Sequence, residues 1–270
     1  MKDLSSGARR IILLTLVVGI FAMPVGAASV AVSPPRLTFT PGPGGYFEGE
    51  IEVYGAKDKD IRVKTYFLDW DFDPAGNVQF YSEQDRVQRS ATAWLQLEPK
   101  EFLLPAKVKK HIKVWGRVPA GTEPGDYWSM FFVEFIPFSG LQTSGVKISG
   151  RVGGSVTITV PGMIVPTGRI SSFTITYKTE EENPELGGKI IFENTGNGIL
   201  EPTGRLEIKD LQNKLIGTVP IPPAKILPGA KREIELRHTL TLEQGKYIAI
   251  ALLDYGGEKL AGYQRIFEVK

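Results

Sequence analysis

Apolar and polar residues alternate with a period of two along most of the chain after residue 28. In the segment from Phe47 to Val53, Phe47, Ile51 and Val53 fall on one side and three glutamates fall on the other. This period is that of a β-strand with one buried face. The segment Val108–Val118 repeats the pattern with four valine and isoleucine residues on its apolar side, Val108 among them. The pattern therefore predicts half-buried antiparallel strands.

One segment is apolar on both sides. Tyr127–Ile136 has only Ser129 and Glu134 as polar residues, which is typical of a strand in the middle of a sheet. Its second apolar face carries Trp128 and Phe132. Either another part of the molecule covers this face, or a binding partner does.

Seven further short strands are predicted between residues 172 and 269, and glycine- and asparagine-rich turns separate them. The two halves of the chain contain the same series of sequence features in the same order. A Leu-Pro pair precedes a charged strand, and a glycine two residues before Tyr127 or Tyr247 then opens an apolar strand. A tyrosine at the start of a late strand is typical of immunoglobulin-type sandwiches, where its hydroxyl ties a connection to the backbone.

The fold class is therefore predicted to be all-β, with two tandem immunoglobulin-like β-sandwich domains after a signal peptide. Proline and glycine residues from Pro161 to Gly168 end the first set of strands, because proline donates no ladder hydrogen bond. We expect the first sandwich to span residues 28–163 and the second to span residues 164–270.

The first 27 residues have the layout of a secretory signal. A basic start with Lys2, Arg9 and Arg10 leads into an apolar run that ends at Met23, and small residues follow up to Ala27. The run is shorter than the roughly 20 residues of a membrane span. We expect cleavage after Ala27, no transmembrane span in the mature chain and an extracytoplasmic, periplasmic location.

Charge and composition exclude several functions. The net charge of +2 lies entirely in the first 27 residues, so the remainder is balanced and offers no basic excess for nucleic acid. The chain has no cysteine, which excludes thiol catalysis and cysteine metal sites. Its two histidines, His111 and His238, are far apart and lie on charged strands. We expect no enzymatic activity and no cofactor.

Asp69, Asp71 and Asp73 form the most suggestive polar cluster. Alternate acids on one strand face can hold a hard cation such as calcium, and paired acids can hydrolyse a glycosidic bond. Pro74 stands where a helix–loop–helix calcium loop needs glycine. The cluster is equally typical of a solvated strand end that turns at residues 74–77, so these residues are only weak metal candidates.

Three segments resemble the PapD-like periplasmic pilus chaperones. Ser29–Phe39 resembles the first strand of that family, with Arg36 three residues before an apolar strand residue. Tyr127–Pro137 resembles its late strand that ends in an isoleucine–proline pair. Val146–Val160 takes the place of its long edge strand.

The resemblance implies a chaperone that lends its edge strand to exported pilus or surface-protein subunits. Arg36 would then anchor the carboxylate of the subunit, and Val146 and Ile148 would be the side chains lent to it. The family has a lysine late in the edge strand, where this chain has serine and threonine. Lys147 and Arg151 are basic but lie earlier, and they are the candidates to replace that lysine.

Two other functions stay open at the level of sequence. A structural surface protein would use the same tandem domains to contact cell wall or neighbouring envelope proteins, and glycines at 150, 153 and 154 favour it by weakening a donor strand. A carbohydrate-active enzyme would depend on the three aspartates alone.

Overall fold

The structure is a computed structural model that describes residues 30–82, 86–137, 149–179 and 184–270. The predicted signal segment at 1–27 and the predicted edge residues Val146, Lys147 and Ile148 lie outside these ranges. Apart from one turn of 3-10 helix at Thr92–Trp94, every regular element in the described residues is a β-strand.

The first ten strands run from residue 31 to residue 160: β1 (Ala31–Ser33), β2 (Arg36–Phe39), β3 (Tyr46–Tyr54), β4 (Ile61–Phe72), β5 (Val78–Tyr81), β6 (Leu95–Glu98), β7 (Glu101–Leu104), β8 (Lys109–Arg117), β9 (Gly125–Pro137) and β10 (Gly150–Val160). The other seven are β11 (Gly168–Lys178), β12 (Glu185–Asn194), β13 (Thr203–Asp210), β14 (Leu215–Ile221), β15 (Lys231–Thr239), β16 (Gly245–Asp254) and β17 (Ala261–Val269).

The first sandwich packs two sheets face to face. One has the order β1-β3-β8-β6, and the other has the order β2-β10-β9-β4-β5, with β7 also paired to β4. The inward faces meet in a core that includes Ile51, Ile112, Phe131 and Ile158, all of them fully buried. Strand β9 lies between β10 and β4, which confirms the prediction of a central strand.

The chain changes sheets near its start. Strand β1 pairs antiparallel with β3 in one sheet, whereas β2 pairs parallel with β10 in the other. The crossing occurs at Pro34 and Pro35, which have no N–H to donate and so end β1. This crossing sets where β2 can begin to cover the edge of β10.

The second sandwich repeats the architecture with fewer strands. Its sheets have the orders β11-β12-β15 and β14-β13-β16-β17, and their shared core includes Phe173, Phe192 and Leu206. All seven strands predicted between residues 172 and 269 are confirmed. The proposed domain boundary at 163/164 lies in the segment between β10 and β11.

The two tyrosines predicted to tie down a connection do so in the same way. The Tyr127 hydroxyl donates a hydrogen bond to the carbonyl oxygen of Glu123, 3.0 Å away, and the Tyr247 hydroxyl donates to that of Glu243, 2.9 Å away. Each bond spans four residues and fixes the turn that leads into β9 or β16. The internal repeat in the sequence thus corresponds to the same tyrosine-to-backbone hydrogen bond in both sandwiches.

The expectation for Val108 is wrong, and those for the two histidines on charged strands are confirmed. Val108 is expected on the buried side of its strand, but it is 45% exposed. Its N–H donates to the Pro105 carbonyl oxygen at 3.3 Å, so it belongs to the turn that precedes β8. Histidine His111 lies on the exposed face of β8, where its ring contacts Glu50 and Glu52 on β3. His238 is exposed near the end of β15.

We expect Tyr127→Phe and Tyr247→Phe each to lower the free energy of unfolding by about 1 kcal/mol, since each removes one hydrogen bond from a buried position. Urea unfolding followed by circular dichroism measures the change. Tyr255→Phe is the matched control, because the Tyr255 hydroxyl has no hydrogen-bond partner among the described residues. Equal midpoints for all three variants and the wild type would contradict the role given to the two bonds.

Candidate functional site

The edge of β10 is only half covered. Along one side, β10 pairs with β9 over its whole length from Gly150 to Val160. Along the other side, it pairs with β2 only from Ser155 to Ile158. Between Gly150 and Gly154 this second side has no partner strand in the described part of the chain. We call these five residues the open edge.

The backbone groups at the open edge can be assigned from the register. The Ser155 N–H donates to the carbonyl oxygen of Pro35, 3.0 Å away, so Ser155 points its backbone groups toward β2. Backbone direction alternates along a strand, and the pairing with β9 shows no register shift. The N–H and C=O groups of Arg151 and Gly153 therefore point away from β9 and are available to an added strand.

Three glycines in β10 lie opposite three phenylalanines in β9. Gly150 pairs with Phe135, Gly153 with Phe132 and Gly154 with Phe131. The rings occupy the space that side chains would fill: a Cβ on Gly150 would lie 2.5 Å from the Phe135 ring, and one on Gly154 would lie 2.4 Å from that of Phe131.

These pairs correct the expectation that the three glycines weaken β10 as a donor strand. Strand β10 is continuous through all three positions, because aromatic rings from the neighbouring strand cover the bare backbone. Gly154 has a second reason to lack a side chain, since a Cβ there would lie 2.4 Å from the Pro35 oxygen. The glycines reduce the side chains on the open edge but leave its backbone intact.

Arg36 stands where the open edge ends. It is the first residue of β2, it is level with Ser155, and its side chain is exposed. It makes no hydrogen bond or ion pair with another described residue. Leu37 and Phe39 alternate with it and pack toward the core, so Arg36 faces the outer side of the sheet. A free cation is thus placed beside unpaired backbone.

The late part of β10 has no second cation to accompany Arg36. Ser155 and Thr157 face outward at these positions, and the Thr159 hydroxyl donates to Asp126 at 2.6 Å. Arg151, one of the substitutes considered from the sequence, lies at the other end of the open edge. Its guanidinium carbon is 4.8 Å from the ring centre of Phe132 and 5.5 Å from that of Phe80.

The second sandwich covers part of the outer face of the six-stranded sheet. Trp128 is 4% exposed and packs with Trp70 and Val87 against Leu227 of the second sandwich. The Trp128 indole N–H donates to the Trp70 carbonyl oxygen at 2.8 Å. The question left open by the sequence is therefore answered for Trp128: the molecule itself covers this end of the apolar face.

Polar contacts fix the two sandwiches to each other. The Asp126 carboxylate accepts a hydrogen bond from the Ile199 N–H at 2.7 Å, and the Asp126 N–H donates to the Asn197 carbonyl oxygen at 2.9 Å. The Asn197 side-chain amide donates to the carbonyl oxygens of Pro124, 3.0 Å away, and Met163, 2.9 Å away. Strand β9, the linker and the second sandwich thus share one network.

The turn after β4 makes a second connection. The Glu233 N–H on β15 donates to the Pro74 carbonyl oxygen at 2.8 Å. The Arg232 guanidinium carbon lies 5.3 Å from the centre of the Phe72 ring, and its side chain packs against Gly76, where a Cβ would collide with it. Sequence patterns do not predict this contact, because it joins residues far apart in the chain.

The three aspartates of β4 and its turn have separate structural partners. Asp69 is buried and accepts from the Ser90 hydroxyl at 2.5 Å. Asp71 accepts from the Tyr81 hydroxyl at 2.9 Å, and this hydrogen bond raises the pKa of Tyr81. Asp73 accepts from the side chain and backbone of Asn77, which lowers the pKa of Asp73.

Asp71 and Asp73 therefore stabilise the hairpin of β4 and β5, and Asp69 ties β4 to the segment at Ser90. No group of three or more histidine, cysteine, aspartate or glutamate side chains suited to a metal ion occurs in the ranges that the structure describes. Within the same ranges, no helix is long and apolar enough to cross a membrane.

No protein-family model and no curated protein matches the chain. Solved structures match over most of its length. A chain from a chaperone–tip adhesin complex described as vital for activation of CFA/I fimbriae biogenesis has 14% identity and a TM-score of 0.48, with 88% of this chain and 98% of that chain covered.

Two further chaperones give similar values. The class 5 fimbriae chaperone CfaA has 13% identity and a TM-score of 0.45, with 90% of this chain and 100% of that chain covered. The E. coli chaperone DraB has 15% identity and a TM-score of 0.42, with 90% and 97% covered. By its own strand orders, the chain is an all-β protein of two immunoglobulin-like sandwiches. The similarity to the solved structures concerns the fold alone.

We expect Asp126→Ala to loosen the two sandwiches, because it leaves the Ile199 N–H without its acceptor, at a cost of about 1–2 kcal/mol. Small-angle X-ray scattering should show a broader distribution of interatomic distances than in the wild type. Asp210→Ala is the matched control, since the Asp210 carboxylate likewise accepts hydrogen bonds from backbone N–H groups but only within its own turn. Identical scattering from Asp126→Ala and Asp210→Ala would count against the network.

Proposed function

We propose that this protein is an extracytoplasmic, chaperone-like protein that binds exported pilus or surface-protein subunits by β-strand addition. The observation that carries the proposal is the open edge, which ends beside the exposed Arg36, a cation with no ion-pair partner in the part of the chain that the structure describes. Binding of this kind needs no cofactor and no chemical step. We also propose that the predicted signal segment at 1–27 directs it to a periplasmic location.

The open edge supplies the main-chain part of the interaction. Arg151 and Gly153 together offer two N–H donors and two C=O acceptors in one line, as the pairing with β9 implies. An extended segment that pairs with such an edge gains affinity from backbone hydrogen bonds and specificity from its alternate side chains. Val146 and Ile148 would extend the edge in this proposal.

Arg36 supplies the anchor. A strand added along the open edge must stop near Gly154, because β2 and the Pro35 carbonyl already occupy the edge from Ser155 onward. If the added strand runs parallel to β10, its C-terminus arrives beside Arg36. A guanidinium binds a carboxylate through charge-assisted, often bidentate hydrogen bonds, so Arg36 is suited to a terminal carboxylate.

The fixed arrangement of the sandwiches favours the same function. The Asp126–Asn197 network holds the second sandwich against β9, the strand beside β10, and the contact of Arg232 with Phe72 holds it against β4. A site that is already formed loses less conformational freedom on binding and so binds more tightly.

Substitutions at Arg151 separate backbone pairing from side-chain contacts. Arg151→Pro removes an N–H that points to the open edge, and proline is tolerated on an edge strand whose N–H faces solvent. Arg151→Ala removes the side chain but keeps that N–H. We expect mature wild-type protein to retain an exported β-rich subunit from the envelope fraction, Arg151→Ala to retain more of it than Arg151→Pro, and Arg151→Pro to lose most of it. Arg36→Ala should also retain less.

The captured subunit is identified by mass spectrometry, purified, denatured and refolded with each variant. The proposal expects its soluble yield to follow the order of capture, with thermal melts showing that all variants are folded. Equal capture and equal refolding with all four proteins would overturn strand addition. Retention of cell-wall material alone by every variant would favour the structural surface protein instead.

A further inference from the structure

Two arginines bracket the open edge on one face of the sheet. Arg151 lies at its start, and Arg36 is level with Ser155 at its end. Four residues of strand separate these levels, which is about 13 Å at the usual rise of about 3.3 Å per residue. Residues 151 and 155 have the same parity, so both arginines belong to the outer face. Both side chains are exposed.

The acid nearest to Arg151 by register does not neutralise it. Glu134 is directly opposite Arg151 on β9, but its carboxylate accepts a hydrogen bond from the Tyr66 hydroxyl at 3.1 Å. Arg151 forms no ion pair with Glu134 or with any other described residue. The guanidinium contacts the rings of Phe132 and Phe80 instead, and these rings lie 5.1 Å apart in an edge-to-face arrangement.

Contact with ring faces leaves the hydrogen-bonding capacity of a guanidinium unused. The rings position the cation, and its N–H groups have no acceptor among the described residues. One terminal carboxylate cannot occupy both ends of a 13 Å edge. If Arg36 holds the terminal carboxylate, the Arg151 guanidinium stays available to a second negative charge.

Building on the proposed function, we propose that Arg151 selects an added strand that carries an acidic side chain within its last six residues, on the face it shares with Arg151. The partner is therefore a C-terminal β-strand with two carboxylates, one at its terminus and one on a side chain. Directly opposed charges on neighbouring strands stabilise the pair, whereas like charges destabilise it. Arg151 is thus a specificity-determining residue, distinct from the anchor Arg36.

The test uses ten-residue peptides of alternating valine and threonine with a free C-terminus. Glutamate, glutamine or lysine replaces one threonine at a time among the last six residues, and an amidated version of each peptide is included. Dissociation constants are measured by NMR titration of the Arg151 and Gly153 amides in mature wild-type protein, Arg151→Gln, Arg151→Glu and Arg36→Ala.

At one peptide position, we expect the wild type to bind the glutamate peptide about three- to tenfold more tightly than the lysine peptide. Arg151→Gln should remove this preference and Arg151→Glu should reverse it. Arg36→Ala should keep it, while losing the preference for a free C-terminus over an amide.

Two outcomes would overturn the inference, and they differ in what they say about the proposed function. Edge binding with equal affinity for the glutamate and lysine peptides would overturn acid selection and leave strand addition standing. Binding of none of the peptides by the wild type would count against both.

Discussion

The half-covered edge of β10 depends on one backbone contact, the hydrogen bond from Ser155 to the carbonyl oxygen of Pro35. The chain leaves one sheet at Pro34 and Pro35 and enters the other with Arg36, so the parallel pairing of β2 with β10 can begin only at Ser155. An earlier crossing would cover the open edge, and a later one would move Arg36 away from it. The position of the prolines therefore decides both how much backbone stays open and where the cation lies.

The glycine–phenylalanine pairs make that contact possible. Gly154 lets the Pro35 oxygen approach β10, and the ring of Phe131 covers the space left on the other side. At Gly150 and Gly153, too, a phenylalanine ring from β9 fills the space that a side chain would occupy. The open part of β10 therefore stays in register with β9. The result is a continuous strand edge that carries few side chains. Most of what it offers to a partner is therefore backbone hydrogen bonding.

Sequence patterns predicted the features that depend on local periodicity. Alternation identified the strands, the double apolar face identified β9 as central, and the repeated Gly-x-Tyr motif predicted hydrogen bonds that Tyr127 and Tyr247 both make. Contacts between distant segments were not predicted, because a period of two does not say which strands become neighbours. Asp126 with Asn197 and Arg232 with Phe72 belong to this group. The cover of Gly150 by the Phe135 ring was not predicted either, because that ring comes from another strand.

The most direct measurement of the central claim is amide hydrogen exchange along β10, followed by NMR in the free protein and in complex with a captured subunit. In the free protein, the amides of Arg151 and Gly153 should exchange fast while those of Val152 and Gly154, which face β9, are protected. In the complex, Arg151 and Gly153 should become protected as well. Slow exchange at Arg151 and Gly153 in the free protein, or unchanged fast exchange in the complex, would contradict the account.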